Sequence, residues 1–541
     1  MRVDKIVTMI CKMRLFTRLH LKELIFGFYL CLALSVSVIA SMQGGSGYGS
    51  MMFFSLVLLS IFLVVPKIKK KIETLSCVEL NSQNDKGIQI FIAFFLLSFL
   101  CFLFWYVAYF PGAFSPDSID QFKQAFRGEY DDWHPVLQTL FSFTLPLKLT
   151  GLVASIVFFQ ILFFSIVLGV VAKTIYSYCG KKWTLFLVLP IILSPWTLNI
   201  SMFPWKDVSF ALSSAVCMVF AMYVFFQREP WCKPVWKIVL FSFFLMLATV
   251  FRHNGILFTL PLAMVLFFYM PIKRWLLFFV LFIVAIVAVR GPVYSILNVQ
   301  KPGNRVVETT GFPLSVITYV AKECPLCLDK ETANFIDSLT KSEPNWKQNY
   351  SLEGFNTIKF ADDGVDFTVV ENAGRLKILK MMFRCFWNAP VHSAIAIGGL
   401  TSIIYGLEIN CDNDPGIVEN KYGIVYKGNE IMRSAALFYS MVVKKTPIRF
   451  FICTIGMPLI IMLAFIFFRS HLNKESLKRV LLCSPILIYD FGTMLFLSGA
   501  ESRFFYVNLL VCPLVVAIML GKSVDKRPKS ENGFLPENAN H

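Results

Sequence analysis

The chain has 541 residues, 56% of them hydrophobic and only 16% charged, with 56 phenylalanines and a formal net charge of +17. Soluble domains carry about 25% charged residues, so this composition excludes a water-soluble multidomain protein, a disordered chain and a compact secreted disulfide scaffold. Its solvent is a bilayer, and the basic excess reads as cytoplasmic loops that orient helices, with no nucleic-acid partner.

A helix needs about 20 apolar residues to cross the hydrocarbon. Runs of that kind lie at 23–41, 48–66, 88–110, 151–172, 184–203, 206–226, 236–251, 255–270, 275–291, 448–468, 479–499 and 503–520. The expected fold is an all-α polytopic membrane protein with about twelve transmembrane helices and a large extracytoplasmic loop region. With the N-terminus inside, the basic stretches 67–71, 173–182, 227–237, Lys273–Arg274 and 469–479 all fall in the cytoplasm. This arrangement obeys the positive-inside rule and puts both termini in the cytoplasm of a multi-pass plasma (inner) membrane protein. The organisation expected is 1–291, N-terminal spans with an outer catalytic loop at 111–150; 292–447, an extracytoplasmic region; 448–520, C-terminal spans; and 521–541, a disordered cytoplasmic tail. Within the long loop, 389–406 is apolar enough to enter the membrane. It is expected to form an interfacial or re-entrant helix, or a pair of spans with 431–443.

Drawn this way, the unusual polar residues fall on one side. After the third span comes Pro116-Asp117-Ser118-Ile119-Asp120-Gln121, running on through Gln124-Ala125 to Asp131-Asp132-Trp133-His134-Pro135. Trp205-Lys206-Asp207 follows the fifth span, Arg252-His253-Asn254-Gly255 the seventh, and Glu501-Ser502-Arg503 the eleventh. Each has an ordinary reading. Ser115-Pro116-Asp117 is a helix start, with Ser115 as N-cap. Lys206-Asp207 is a paired interfacial charge, and Arg252 and Arg503 are snorkelling cations. Their coincidence at one bilayer face is the functional signal, because charge next to apolar sequence is costly unless paired or hydrated. A carboxylate there can deprotonate an acceptor, and nearby Lys and Arg can hold a phosphate as a leaving group. The set suits transfer of a group from a lipid phosphate to an acceptor outside the cytoplasm.

These residues together resemble the bacterial membrane glycosyltransferases of the GT-C superfamily, over roughly 88–291 and 448–520. The resemblance implies a polyprenyl-phosphate-linked sugar as donor, an inverting transfer and an extracytoplasmic acceptor in the cell envelope (glycan, lipid or protein). It places Asp117 as base or acceptor contact, and Lys206, Arg252 and Arg503 at the donor phosphate. Asp120, Gln121, Asp132, His134, Asp207, His253, Asn254 and Glu501 are supporting or acceptor-site candidates. Some members use a divalent metal, magnesium or manganese, and others none. Asp117, Asp120, Asp131, Asp132 and His134 are the candidate ligands here, and no adjacent acidic pair stands at position 117.

Two other readings compete. One is a cell-surface polysaccharide polymerase or ligase, which would depend on outer-loop arginines such as Arg375 or Arg384. The other is a lipid-linked sugar flippase or transporter. Transporters place working charges near the midplane, where Asp490 is the main candidate. Cys324-Pro325-Leu326-Cys327 lacks the second pair of a structural zinc site and is expected to form a local disulfide or no bond. Cys453 reads as a small apolar side chain.

Overall fold

The computed structural model describes residues 21–32, 34, 64–77, 86–301, 303, 305–339, 346–361, 365–407, 414–469 and 474–521. Part of the expected span at 23–41, most of that at 48–66 and the expected tail after Gly521 lie outside them. Among the described residues there is no named strand, only three isolated bridges.

The helices that position the site are α1 (Gly87–Ala108), α2 (Pro116–Arg127), α3 (Ala154–Cys179), α4 (Lys181–Ile192), α5 (Lys206–Gln227), α6 (Val235–Val250), α7 (Ile256–Val265) and α8 (Ile272–Ala288). They continue with α9 (Arg305–Thr309), α10 (Gly311–Glu323), α11 (Phe367–Asn388), α12 (Pro390–Tyr405), α13 (Glu430–Lys445), α14 (Gly456–Arg469), α15 (Lys474–Met494) and α16 (Val507–Leu520). Five stretches are long and apolar enough to cross a membrane: α1, α3, α5, 272–296 including α8, and 502–520 including α16. The expected count of about twelve is not confirmed. One apolar run is cut by its own sequence. The run 184–203 stops at Leu193, and Ser194 caps a new short helix begun by Pro195. The runs 236–251 and 255–270 are divided at Arg252, whose backbone is extended. Gly255 closes that corner, because a Cβ there would lie 2.3 Å from the Ala248 carbonyl oxygen.

Helices α5 and α16 pack on each other and form the middle of the bundle, with α5 also against α6 and α16 against α14. Of their apolar windows 83% and 89% are buried, against 28% for α1 and 17% for 272–296. The first two are therefore protein-facing and the last two present their sides to the apolar solvent. Helices α1 and α3 pair at one flank, α6 and α8 at another, and α7 with α15 at a third.

Residues 292–447 are mostly helical where described, apart from the non-helical stretch 414–429, and fold onto the ends of the bundle helices. A segment after Asp414 runs along the first loop, with Phe114 N–H donating to Gly416 O at 2.9 Å and Val418 N–H to Phe114 O at 3.0 Å. Asn356 N–H donates to Ser498 O and Ala500 N–H to Glu353 O, both at 2.8 Å. The stretch expected to be interfacial, re-entrant or paired is the 16-residue helix α12, which packs on α10 and α14. Its partner stretch is α13, which lies against α1. Cys324 and Cys327 form a disulfide. Cys453, read from sequence as a plain apolar side chain, is disulfide-bonded.

A close approach in this cap is between Gly311 at the start of α10 and Ser498, where an added Cβ would meet Ser498 Cβ at 2.0 Å and its Cα at 2.6 Å. Gly311→Ala is expected to destabilise the protein by about 1–3 kcal/mol through overpacking. The readout is a lowered Tm in detergent. Gly291→Ala, which meets nothing within 4 Å, should leave Tm unchanged or slightly raised. Equal Tm values for both variants would show that the cap does not depend on this contact.

Candidate functional site

The four polar segments meet where their helices end. Asp117 sits in the first turn of α2, with Pro116 at the helix start and Ser118 N–H donating to the Ser115 hydroxyl. The helix-start reading is thus correct, and it also aims Asp117. Its Oδ2 accepts from Arg503 Nη1 at 2.8 Å. Arg503 lies in the short turn before α16, 3.3 Å from Glu501 and 3.8 Å from Asp207. Its guanidinium lies 4.9 Å from the centre of the Trp205 ring, and Trp205 in turn donates Nε1–H to the Ser115 hydroxyl at 2.9 Å. Asp207, in the first turn of α5, is fully buried and ion-paired with Arg252. Arg252 is held against the Phe504 ring at 4.3 Å, and Asn254, which accepts from Arg252 Nε, donates to Thr493 at 3.0 Å. The result is a chain of alternating charge, Arg252–Asp207–Arg503–Asp117, drawn from four distant parts of the polypeptide.

Lys206 is different. Its Nζ lies 3.5 Å from His134 Nδ1, and among the described residues no carboxylate is within ion-pair distance of it. His134 is buried, and its Nε2 lies 3.8 Å from Asp120. Burial first, and then the Lys206 charge, push the His134 imidazole down to about 3. It is neutral at physiological pH and can accept from Lys206 through Nδ1. Burial alone would raise the Asp117 carboxyl, but the charges of Arg503 and Lys206 outweigh burial and hold it below the usual carboxylate range.

These groups border a cavity of about 610 Å³, within the size range of small-ligand sites. Of the residues singled out from sequence, Asp117, Asp132, Lys206, Arg252, His253, Asn254, Glu501 and Arg503 line it. The other four do not. Asp207 and His134 stand behind the wall as partners of Arg252 and Lys206. Gln121 is buried and donates to Gln138 and Thr139. Asp120 accepts from Gln124 at 2.9 Å. The wall is mixed, with Ile256, Leu257, Phe496 and Phe504 beside the charges. Sequence reasoning missed Glu308, Asn356 and Lys359, which line the cavity from the 292–447 region, and named Arg375 only for a competing function. No local signal marks them, since their place depends on the cap folding back.

Of the candidate metal ligands, Asp120 and His134 lie 3.8 Å apart, and the other three are engaged elsewhere. Asp117 is committed to Arg503, Asp131 accepts from Trp133 N–H, and Asp132 accepts from Tyr294 at 2.7 Å and Arg290 at 3.2 Å. Among the described residues no three His, Cys, Asp or Glu side chains come together as a metal-holding group.

Removing Arg252 would leave Asp207 charged and buried, at a cost of about 3–5 kcal/mol. Arg252→Met should therefore lower Tm sharply, and adding Asp207→Asn should recover much of the loss. A double variant no better than the single one would show that the pair is not what holds this corner. His134 gives a pH test. Its folded pKa lies below the ordinary 6.5, so between pH 6.5 and about 3 the unfolded chain binds a proton that the folded chain refuses. Stability from this group is complete above pH 6.5 and falls as pH drops, by at most about 1.4 kcal/mol per pH unit. Tm of His134→Asn should fall less steeply than wild type between pH 6.5 and 4; parallel curves would refute the assignment.

No protein-family model and no curated protein matches the chain. Among solved structures it is similar to the crystal structure of ArnT from Cupriavidus metallidurans bound to undecaprenyl phosphate. The match covers 80% of this chain and 76% of that chain, at 13% identity and a TM-score of 0.31. That likeness is too loose to assign a family.

Proposed function

We propose that the protein is an integral membrane glycosyltransferase that moves a sugar from a polyprenyl-phosphate donor to an extracytoplasmic acceptor. The observation that carries the reading is a single cavity bordered by an acidic helix start, five cations and an apolar flank. Lys206, with no carboxylate partner among the described residues, Arg252 and Arg503 suit the donor phosphate. Ile256, Leu257 and Phe496 suit the first isoprene units.

In the step proposed, the bond between the anomeric carbon and the phosphate oxygen breaks, and its electron pair stays on the phosphate. The acceptor hydroxyl oxygen bonds to the anomeric carbon from the opposite face, and its proton passes to Asp117. A carboxylate clamped by Arg503 is a weak base. A phosphate arriving at the same guanidinium competes with Asp117 for it, and this would raise the proton affinity of Asp117 when the donor is bound. Donor binding thereby prepares the base, and the cations stabilise the charge that develops on the leaving phosphate.

Arg375 lines the cavity whereas Arg384 is paired with Asp329 and Glu331. The polymerase or ligase reading therefore keeps one of its two arginines and differs in the acceptor. A flippase reading gains less, because Asp490 does not border the cavity.

Purified protein given a polyprenyl-phosphate sugar and envelope acceptors should release free polyprenyl phosphate, whereas a flippase would leave the glycosidic bond whole. Asp117→Asn should lower turnover by about 10²–10⁴-fold with Tm little changed. Lys206→Ala should chiefly raise the donor KM, by about tenfold. Near-normal turnover in Asp117→Asn would remove that residue from the mechanism.

A further inference from the structure

The roof of the cavity comes from residues 292–447 and brings a second set of charges. Lys359 ends the short helix Asn356–Lys359, is buried, and pairs its Nζ with Glu308 on α9. The start of α9 is fixed by Glu371, whose Oε1 accepts from Val306 N–H at 2.8 Å and Val307 N–H at 3.1 Å. Arg375 follows Gly374, whose φ of 73° interrupts α11. A glycine suits that left-handed position, and the break re-aims the chain just before the arginine. Arg375 Nε donates to the Thr309 hydroxyl at 2.8 Å. Phe360 and Asn356 complete this wall, and the Asn356 amide oxygen is buried without a hydrogen-bond partner.

The lining cations can be matched with their carboxylates. Arg252 goes to Asp207, Arg503 to Asp117 and Glu501, and Lys359 to Glu308. Among the described residues, Lys206 and Arg375 are the lining Lys and Arg side chains with no carboxylate at ion-pair distance. One belongs to the bundle and the other to the roof. A polar cavity with spare positive charge on two walls is complementary to a ligand set with two anionic groups.

We propose that the cavity has two anion-binding walls, Lys206 facing the donor phosphate and Arg375, with Lys359 behind it, facing an anionic group on the acceptor. The acceptor is then a phosphorylated or carboxylated envelope molecule, not a neutral glycan. The assignment rests on the donor reading given above. Glu308 sets the strength of the roof site, because it neutralises Lys359.

The test uses the full-length protein in detergent and citronellyl phosphate, a short prenyl phosphate. It is first titrated alone and then held about tenfold above its Kd while inorganic phosphate or glucuronate is added in a calorimeter. Saturable binding of the second anion is expected, and the tighter of the two probes distinguishes a phosphorylated from a carboxylated acceptor. Arg375→Gln should weaken the second anion by about fivefold or more, and Arg375→Lys should restore most of the loss. Glu308→Gln should strengthen it, since Lys359 loses its counter-charge. Opposite shifts from two neighbouring substitutions are something a merely structural role would not produce. Citronellyl phosphate affinity should stay the same in all three variants. Absence of a second binding event, or a loss in Arg375→Gln that falls on citronellyl phosphate instead, overturns this inference alone. Failure of wild type to bind citronellyl phosphate overturns the donor reading beneath it.

Discussion

Everything at this end of the bundle depends on keeping charge alive beside apolar helix ends. An isolated charge in such a place costs several kcal/mol, and a paired one survives only if its partners are held in good geometry. The chain meets this with a shared cation. Arg503 reaches Asp117, Asp207 and Glu501, and Asp207 also holds Arg252. Because each carboxylate sits in or next to a different helix end, satisfying the charges also fixes how α2, α5, α6 and α16 approach one another. Aromatic faces finish the arrangement, with Trp205 against Arg503 and Phe504 against Arg252. A planar guanidinium can use a ring face and a carboxylate at once, which suits arginine to the two positions that bind the helices together.

The sequence shows this end of the molecule better than its middle or its roof. Asp117 was visible because its neighbours are local signals: a serine cap, a proline and a helical run after it. Lys206, Arg252 and Arg503 were visible because charge interrupts hydropathy. The same hydropathy set the expected spans. It counts apolar residues and is blind to the Ser194 cap and Pro195, so the run 184–203, which looks continuous, is a broken helix. Gln121, Asp120, His134 and Asp207 lie near the cavity but do not line it: Gln121, His134 and Asp207 are buried partners and Asp120 is half-exposed, because side-chain direction is not written in spacing. The roof was illegible. Glu308, Lys359 and Arg375 owe their place to contacts such as Asn356 with Ser498 and Gly311 with Ser498, each more than a hundred residues apart in sequence, and α11 loses its period at Gly374.

The contrast between Lys206 and its arginine neighbours gives the arrangement its direction. Arg252 and Arg503 are paired with carboxylates and act as struts, although Arg503 could exchange Asp117 for an arriving phosphate. Lys206 rests instead on a histidine that burial and the lysine charge itself hold neutral. A neutral acceptor orients an ammonium group without cancelling its charge, whereas a carboxylate in the place of His134 would do both. An ammonium group with three rotatable donors can also release one contact and keep another as a ligand arrives. The fold therefore separates two uses of positive charge a few residues apart. One kind mainly holds helix ends together, and the other is kept oriented, without a carboxylate at ion-pair distance among the described residues, at the edge of a cavity where an anion would complete it.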